Sequence, residues 1–245
     1  MKIFGMTDIG LVRKENQDAY GIAELPEMNY SVAVVCDGMG GAKGGQVAST
    51  LAVETYIAEL KKILTADMMP EQLREASSYA VTQANTAVYT RGQEAEELHG
   101  MGTTLVSAIA YPGGVLVSNV GDSRAYSITE NGISQISRDH SLVEDMIARG
   151  DITAEEARRH PNKNVITRAL GPEKNIQCDG FIHTLESKEF ILLCSDGLVD
   201  TVSDQEMLFE VWYNQDVESC LDRLLAIAKS RGASDNVTAV LLHNA

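Results

Sequence analysis

The feature that most limits the folds open to this chain is a set of short apolar runs joined by very tight turns. Runs 103–111 and 114–120 flank Pro112-Gly113-Gly114, and runs 123–129 and 132–137 flank Asn131-Gly132. Such links make antiparallel hairpins, whereas parallel pairing needs a dozen or more connecting residues. Further strands are expected near 2–6, 17–24, 30–36, 176–185, 189–194 and 236–243.

Helical periodicity is as clear. Val53, Tyr56, Ile57, Leu60 and Leu64 recur at i, i+3, i+4, i+7 and i+11, one face of a helix. A second long helix opens at Pro70-Glu71, carries Leu73, Ala76, Ala80, Ala84 and Val88 on one side, and is expected to stop at Gly92. A late helix is expected over 216–231, with Val217, Leu221, Leu224 and Ala228 inward and Gly232 closing it. Capping boxes at Ser141…Glu144, Thr153…Glu156 and Ser203…Glu206 open three shorter helices. Strands and helices do not alternate regularly, which disfavours a doubly wound parallel sheet. The expected fold is α+β, helices covering a largely antiparallel β-sandwich. Without a repeat, a low-complexity tract or a linker, residues 1–245 read as one domain.

Composition excludes several classes of function. The chain is 44% hydrophobic and 22% charged, an ordinary globular balance, and its formal net charge is −15. Nucleic acids and anionic membranes favour basic patches, so neither is an expected partner. No apolar run approaches the roughly 20 residues of a membrane helix, and MKIFGMTDIG lacks a signal-peptide pattern, so a cytoplasmic location is expected. Cys36, Cys178, Cys194 and Cys220 are scattered, with no C-x-x-C pair, and Cys36 and Cys194 sit in apolar runs as small hydrophobes.

The chemistry lies where apolar strands end. YSVAVVC (30–36) stops at Asp37-Gly38 and FILLC (190–194) runs into Asp196-Gly197. Gly121-Asp122 breaks another strand, and Asp235 opens the terminal one. Each Asp-Gly is by itself an ordinary turn signal. A strand that begins where its antiparallel neighbour ends shares that neighbour's edge, so Asp235 can stand beside Asp196 or Asp37. Asp179-Gly180, mid-run, reads instead as a turn or bulge. Carboxylates gathered at one edge cannot all stay ionised near neutrality unless protons or cations compensate. Oxygen ligands without His or Cys point to hard ions, Mg²⁺ or Mn²⁺. An Asp shared by two of them would hold the pair about 3.5–4 Å apart, the spacing of two-metal hydrolysis. The Gly after each Asp leaves a carbonyl approachable. Arg13 would be either a salt-bridge partner or a clamp for two phosphate oxygens.

Arg13 with Asp18, DGMGG (37–41), GTT (102–104), GDSR (121–124), ITRALG (166–171), SDGL (195–198) and SDNVT (234–238) occur in order over the whole chain. In these motifs the sequence resembles the PPM-type, metal-dependent Ser/Thr protein phosphatases (the protein phosphatase 2C class), in their compact bacterial branch. The resemblance implies two antiparallel sheets between helical layers, an α-β-β-α arrangement. It implies two Mn²⁺ or Mg²⁺ ions bridged by Asp37, with the Gly38 carbonyl as a ligand and Asp196 and Asp235 completing the coordination of the second ion. A third, weaker ion would be held by Asp122 with Asp196, Asp18 would act through waters, and Arg13 would bind the substrate phosphate. Phosphoserine and phosphothreonine in proteins would be hydrolysed by direct attack of metal-bound water, reversing a Ser/Thr kinase, by a monomer. No cysteine is followed by the Arg of a C-x5-R phosphatase. Residues 138–165 correspond to the flap of bacterial members.

The sequence departs from the family where many members carry His after the first Asp-Gly: here it is Met39, while Ala42 and Gln46 stand where bacterial relatives often have His and Glu. The loop therefore shows no general acid, and a metal-bound water is preferred to His140 for that role. Aryl phosphates should then be cleaved better than phosphopeptides. Two other readings are a phosphatase dedicated to one regulatory protein, such as an anti-anti-sigma factor, and a binding-only pseudophosphatase. The first usually carries sensory or coiled-coil extensions, absent from this sequence, and the second would have lost carboxylates that are all here.

Overall fold

The computed structural model describes residues 1–214 and 216–244, apart from the side chains of residues 41–43. Among these, one sheet has the order β1 (Lys2–Asp8), β11 (Val237–His243), β10 (Phe190–Cys194), β7 (Arg124–Thr129), β8 (Gly132–Gln135). The second has the order β2 (Asp18–Leu25), β3 (Tyr30–Met39), β5 (Leu105–Tyr111), β6 (Gly114–Val120), β9 (Asp179–Thr184), with the short β4 (Gly102–Thr103) paired to the end of β3. Each pairing is antiparallel. Long helices α1 (Gly41–Ile63) and α2 (Pro70–Glu94) cover the second sheet. The first is covered by α5 (Asp196–Val199), α6 (Asp204–Leu208), a π-helical turn at Phe209–Tyr213, and α7 (Cys220–Ser230). Helices α3 (Leu142–Arg149) and α4 (Ala154–Arg158) lie in the connection between β8 and β9. Among the described residues no helix is long and apolar enough to cross a membrane.

Strand periodicity builds three apolar layers from these elements. Along β3, Val32, Val34 and Cys36 face α1 and α2, while Ala33 and Val35 face the other sheet. Along β10, Leu192 and Cys194 face α5–α7, while Ile191 and Leu193 meet Val35, Val106 and Val240 between the sheets. Both faces of these strands are covered, which is why their sequence is continuously apolar. Between the sheet and its helices, Tyr56 closes a buried polar link, its hydroxyl 2.7 Å from both Ser77 and Ser107.

Local expectations fail at five places. The strand through Val35 does not turn at Asp37-Gly38; it continues to Met39, because Asp37 pairs with Asp18 and Gly38 with Thr103. The glycines after Met39 do not form a loop: α1 begins at Gly41. Gly38 and Gly45 permit that, since a Cβ on Gly38 would lie 2.1 Å from the Gly45 carbonyl oxygen. Gly92 lies inside α2, which runs to Glu94, and the late helix starts at Cys220, because Asp216 instead accepts from the Ser219 hydroxyl in a turn. Asp179 is no turn residue; it opens β9 opposite Asn119.

Candidate active site

The same two-residue period that fills the interior puts the polar groups at its mouth. On the inward-facing positions of their strands, Tyr20 is followed backwards by Asp18, Val35 forwards by Asp37, Leu193 by Ser195 and Val240 backwards by Thr238. Where the apolar inter-sheet layer ends, carboxylates and hydroxyls close it. Asp18 and Asp37 are direct cross-strand partners on β2 and β3. The Ser195 hydroxyl donates to Asp18 Oδ2 at 2.7 Å and accepts from Thr238 N–H at 3.1 Å, which joins the two sheets at this end.

A basin of about 640 Å³ opens above this mouth. Asp37, Gly38, Asp122, Asp196, Asp235 and Arg13 all line it, and Asp18 lies beneath, 8% exposed. The fold therefore brings together every site residue named from the sequence. Asp37 is fixed by Thr104, whose hydroxyl accepts from Asp37 N–H and whose N–H donates to Asp37 O, both at 2.9 Å. The Thr104 hydroxyl is also 2.7 Å from that of Ser123, next to Asp122, so one threonine braces the strand that carries Asp37 and the loop that carries Asp122. Asp196 begins α5, directly after β10.

Crowding leaves its mark on the carboxyl groups. Burial, then the negative charges of Asp18, Asp196, Asp122 and Asp235, holds Asp37 well above the ordinary carboxylate range. Burial first, then the charge of Asp122, raises Asp196 to about 7, and burial followed by Asp139 raises Asp122 to about 6. Asp18, buried despite hydrogen bonds that oppose the shift, also rises to about 6. Asp18 Oδ1 and Asp196 Oδ1 are buried and make no hydrogen bond among the described residues. Oxygens of this kind, in a donor set of carboxylates and a backbone carbonyl, suit a hard divalent cation. Among the described residues no three such side chains yet form a closed ligand cage; they stand around an open basin.

Arg13 and Asp235 are joined to each other. Arg13 Nη2 donates to Asp235 Oδ2 at 2.6 Å, and Asp235 Oδ1 accepts from Asn236 N–H at 2.8 Å. The loop carrying Arg13 is pinned by Asn236, which accepts from Gln17 N–H at 2.8 Å and donates to the carbonyls of Ile9 (2.9 Å) and Glu15 (3.1 Å). Sequence reasoning assigned no role to Asn236 or Thr104, although both lie in quoted motifs, SDNVT and GTT, each just before a strand begins.

His140 does not reach the basin. Its ring is buried behind the Gly121-Asp122 loop, against Asp179 and Arg168. Met39 lines the basin, Gln46 is exposed on α1, and the Ala42 side chain lies outside the described residues. The segment 138–165 contributes Asn164, with Ile166 just beyond it, to the basin wall, and Lys163 Nζ donates to Asp200 at 2.8 Å. The cysteines are free thiols, and burial pushes those of Cys36 and Cys194 up, away from nucleophilic character.

Residues 12–241 match the family model of protein phosphatase 2C. The chain is 36% identical over 236 residues to the serine/threonine phosphatase stp of Listeria welshimeri, covering 96% of this chain and 93% of the relative. It is 33% identical to the protein phosphatase PhpP of Streptococcus pneumoniae, covering 99% and 97%. The crystal structure of serine/threonine phosphatase Stp1 from Staphylococcus aureus superposes with a TM-score of 0.91 at 36% identity, covering 100% of this chain and 94% of that one. The catalytic domain of the phosphatase PstP in complex with two manganese ions superposes at 0.83 and 30% identity, covering 98% and 96%.

Proposed function

The chain belongs to the protein phosphatase 2C family, and from that premise we propose that it hydrolyses phosphoserine and phosphothreonine in proteins at the carboxylate basin. The observation that carries this reading is the convergence of Asp37, Asp122, Asp196, Asp235 and Arg13 on one basin, with unpaired buried oxygens on Asp18 and Asp196 beneath and beside it.

Asp37, the Gly38 carbonyl, Asp196 and Asp235 would hold two divalent cations, and Asp122 with Asp196 a third, weaker one; Mn²⁺ is favoured by the two manganese ions of PstP. Bound there, the ions would supply the charge that activates water and stabilises the phosphoryl group. Asp18 orients the site from below through Ser195 and by pairing with Asp37. Arg13 presents a planar fork at the rim, 49% exposed, suited to two phosphate oxygens. Among the described residues, Met39 and the glycines beside it offer no general acid next to Asp37. The buried thiols take no part.

Residues 1–245 act in this reading as one catalytic domain, a cytoplasmic monomer whose 138–165 segment forms a flap over phosphoprotein substrates shared with a Ser/Thr kinase. A net charge of −15 supports the exclusion of nucleic acid and of anionic membranes.

The test is phosphate release in Mn²⁺ from a panel of phosphothreonine, phosphoserine and phosphotyrosine peptides, with Asp37→Asn as control. Turnover of the first two and loss in the variant are expected. Turnover of phosphotyrosine alone, or an unchanged variant, would overturn the assignment.

A further inference from the structure

The loop that carries Asp122 is held from behind by a side chain that never touches the basin. Gly121 has φ +108°, a conformation L side chains rarely adopt, and a Cβ there would lie 2.6 Å from Thr104. Such a turn needs its backbone groups fixed, and His140 fixes both: His140 N–H donates to Gly121 O at 2.9 Å, and Gly121 N–H donates to His140 Nδ1 at 3.1 Å. A backbone N–H can only donate, so Nδ1 is bare and Nε2 carries the ring proton. Nε2 lies 3.2 Å from Asp179 Oδ2, and Arg168 Nη1 donates to the other oxygen, Oδ1, at 3.0 Å. The ring is thus oriented from both sides, with its residue 5% exposed.

The same residue closes the root of the excursion between β8 and β9. Thr167 N–H donates to His140 O at 2.8 Å, Leu142 N–H donates to Val165 O at 2.8 Å, and Ser141 bridges Ile166. Asn164 and Ile166, at that root, line the basin along with Asp122.

We propose that His140 is a positioning residue: by accepting the Gly121 N–H at Nδ1 it sets the Asp122 carboxylate and the 164–166 wall of the basin in register. The inference rests on the reading of Asp122 as a ligand to a divalent cation. Partners that orient a metal ligand from outside typically matter tenfold to a hundredfold in affinity.

Full-length His140→Ala, His140→Gln and His140→Asn are compared with wild type and Asp122→Asn by Mn²⁺ calorimetry and by amide hydrogen exchange. Asn can place an oxygen where Nδ1 accepts; Ala and Gln cannot. In His140→Ala and His140→Gln the weakest Mn²⁺ site should lose about tenfold or more in affinity, as in Asp122→Asn, with faster exchange at Gly121 and across 142–165. His140→Asn should restore most of both. Wild-type Mn²⁺ affinity in His140→Gln, or no recovery in His140→Asn, would overturn the proposal, and the Gln/Asn pair decides the matter even if the Ala variant does not fold. A wild-type chain that binds no Mn²⁺ would overturn the metal reading instead; Gly121 exchange then still decides for or against His140 as the loop's anchor.

Discussion

Arg13 and Asp235 share a 2.6 Å bond across the rim of the basin, so the guanidinium read as the phosphate clamp holds a carboxylate read as a metal ligand. The two roles are linked rather than independent. A cation drawing Asp235 Oδ2 competes with Arg13 for it, and a phosphate drawing Arg13 leaves Asp235 to the cation. Arg13→Ala should therefore raise KM for a phosphothreonine peptide about tenfold, the scale of a lost charged hydrogen bond. It should do so without raising the Mn²⁺ concentration needed for half-maximal activity. An unchanged KM would confine Arg13 to structure, and a raised Mn²⁺ requirement would contradict the competition.

Asp37 faces the charges of Asp18, Asp196, Asp122 and Asp235 and is bonded on both backbone sides by Thr104. Asp37→Asn keeps its shape and removes its charge. Activity should fall by roughly a hundredfold or more, the several kcal/mol that metal-held charge contributes to such a transition state, while the circular dichroism spectrum stays native.

Stability without metal should respond to the crowding in the opposite direction from activity. Asp196 titrates near 7, and Asp122 and Asp18 near 6, against an ordinary 3.8. Between about pH 4 and pH 7 the folded chain therefore binds more protons than the unfolded one, and these groups make the fold less stable as pH rises. His140 and His243 are depressed by burial and act the other way below about 6.5. A comparison of wild type with Asp196→Asn cancels the histidines. In EDTA, Asp196→Asn should melt a few degrees higher than wild type at pH 7.5, with the difference vanishing near pH 4. Equal melting at pH 7.5 would show that the carboxylates are not strained.

Among the described residues the basin lining includes no histidine, and His140 is turned away toward Asp179. Proton donation to a poor leaving group should then limit the enzyme. p-Nitrophenyl phosphate should be cleaved faster than a phosphothreonine peptide under saturating Mn²⁺. Equal rates and equal pH dependence would require a donor not yet assigned.

Much of the fold is legible in the amino-acid sequence alone. Both-face burial leaves an unmistakable continuous apolar run, so strands such as Phe190–Cys194 and Val237–His243 fall where the sequence puts them. The four-layer packing follows from them. Carboxylates at strand ends are visible for the same reason: Asp37 and Asp196 interrupt or end runs that burial demands be apolar. What escaped was decided by tertiary contact. Helix α1 begins among glycines of poor helix propensity because Gly45 packs against Gly38. Asp179 looks like any Asp-Gly until Arg168 and His140, distant in sequence, are found beside it. Thr104 bonds the backbone of Asp37 on the neighbouring strand, and Asn236 ties the segment before β11 to the loop before β2, contacts far apart in sequence that no local pattern encodes.

The most direct test of the account is phosphate release from a phosphothreonine peptide by the full chain, first in EDTA and then on Mn²⁺ titration. Activity should be absent in EDTA and return with Mn²⁺ in wild type but not in Asp37→Asn or Asp196→Asn. Turnover that persists in EDTA, or that Mn²⁺ restores equally in both variants, would contradict a metal centre built on these carboxylates.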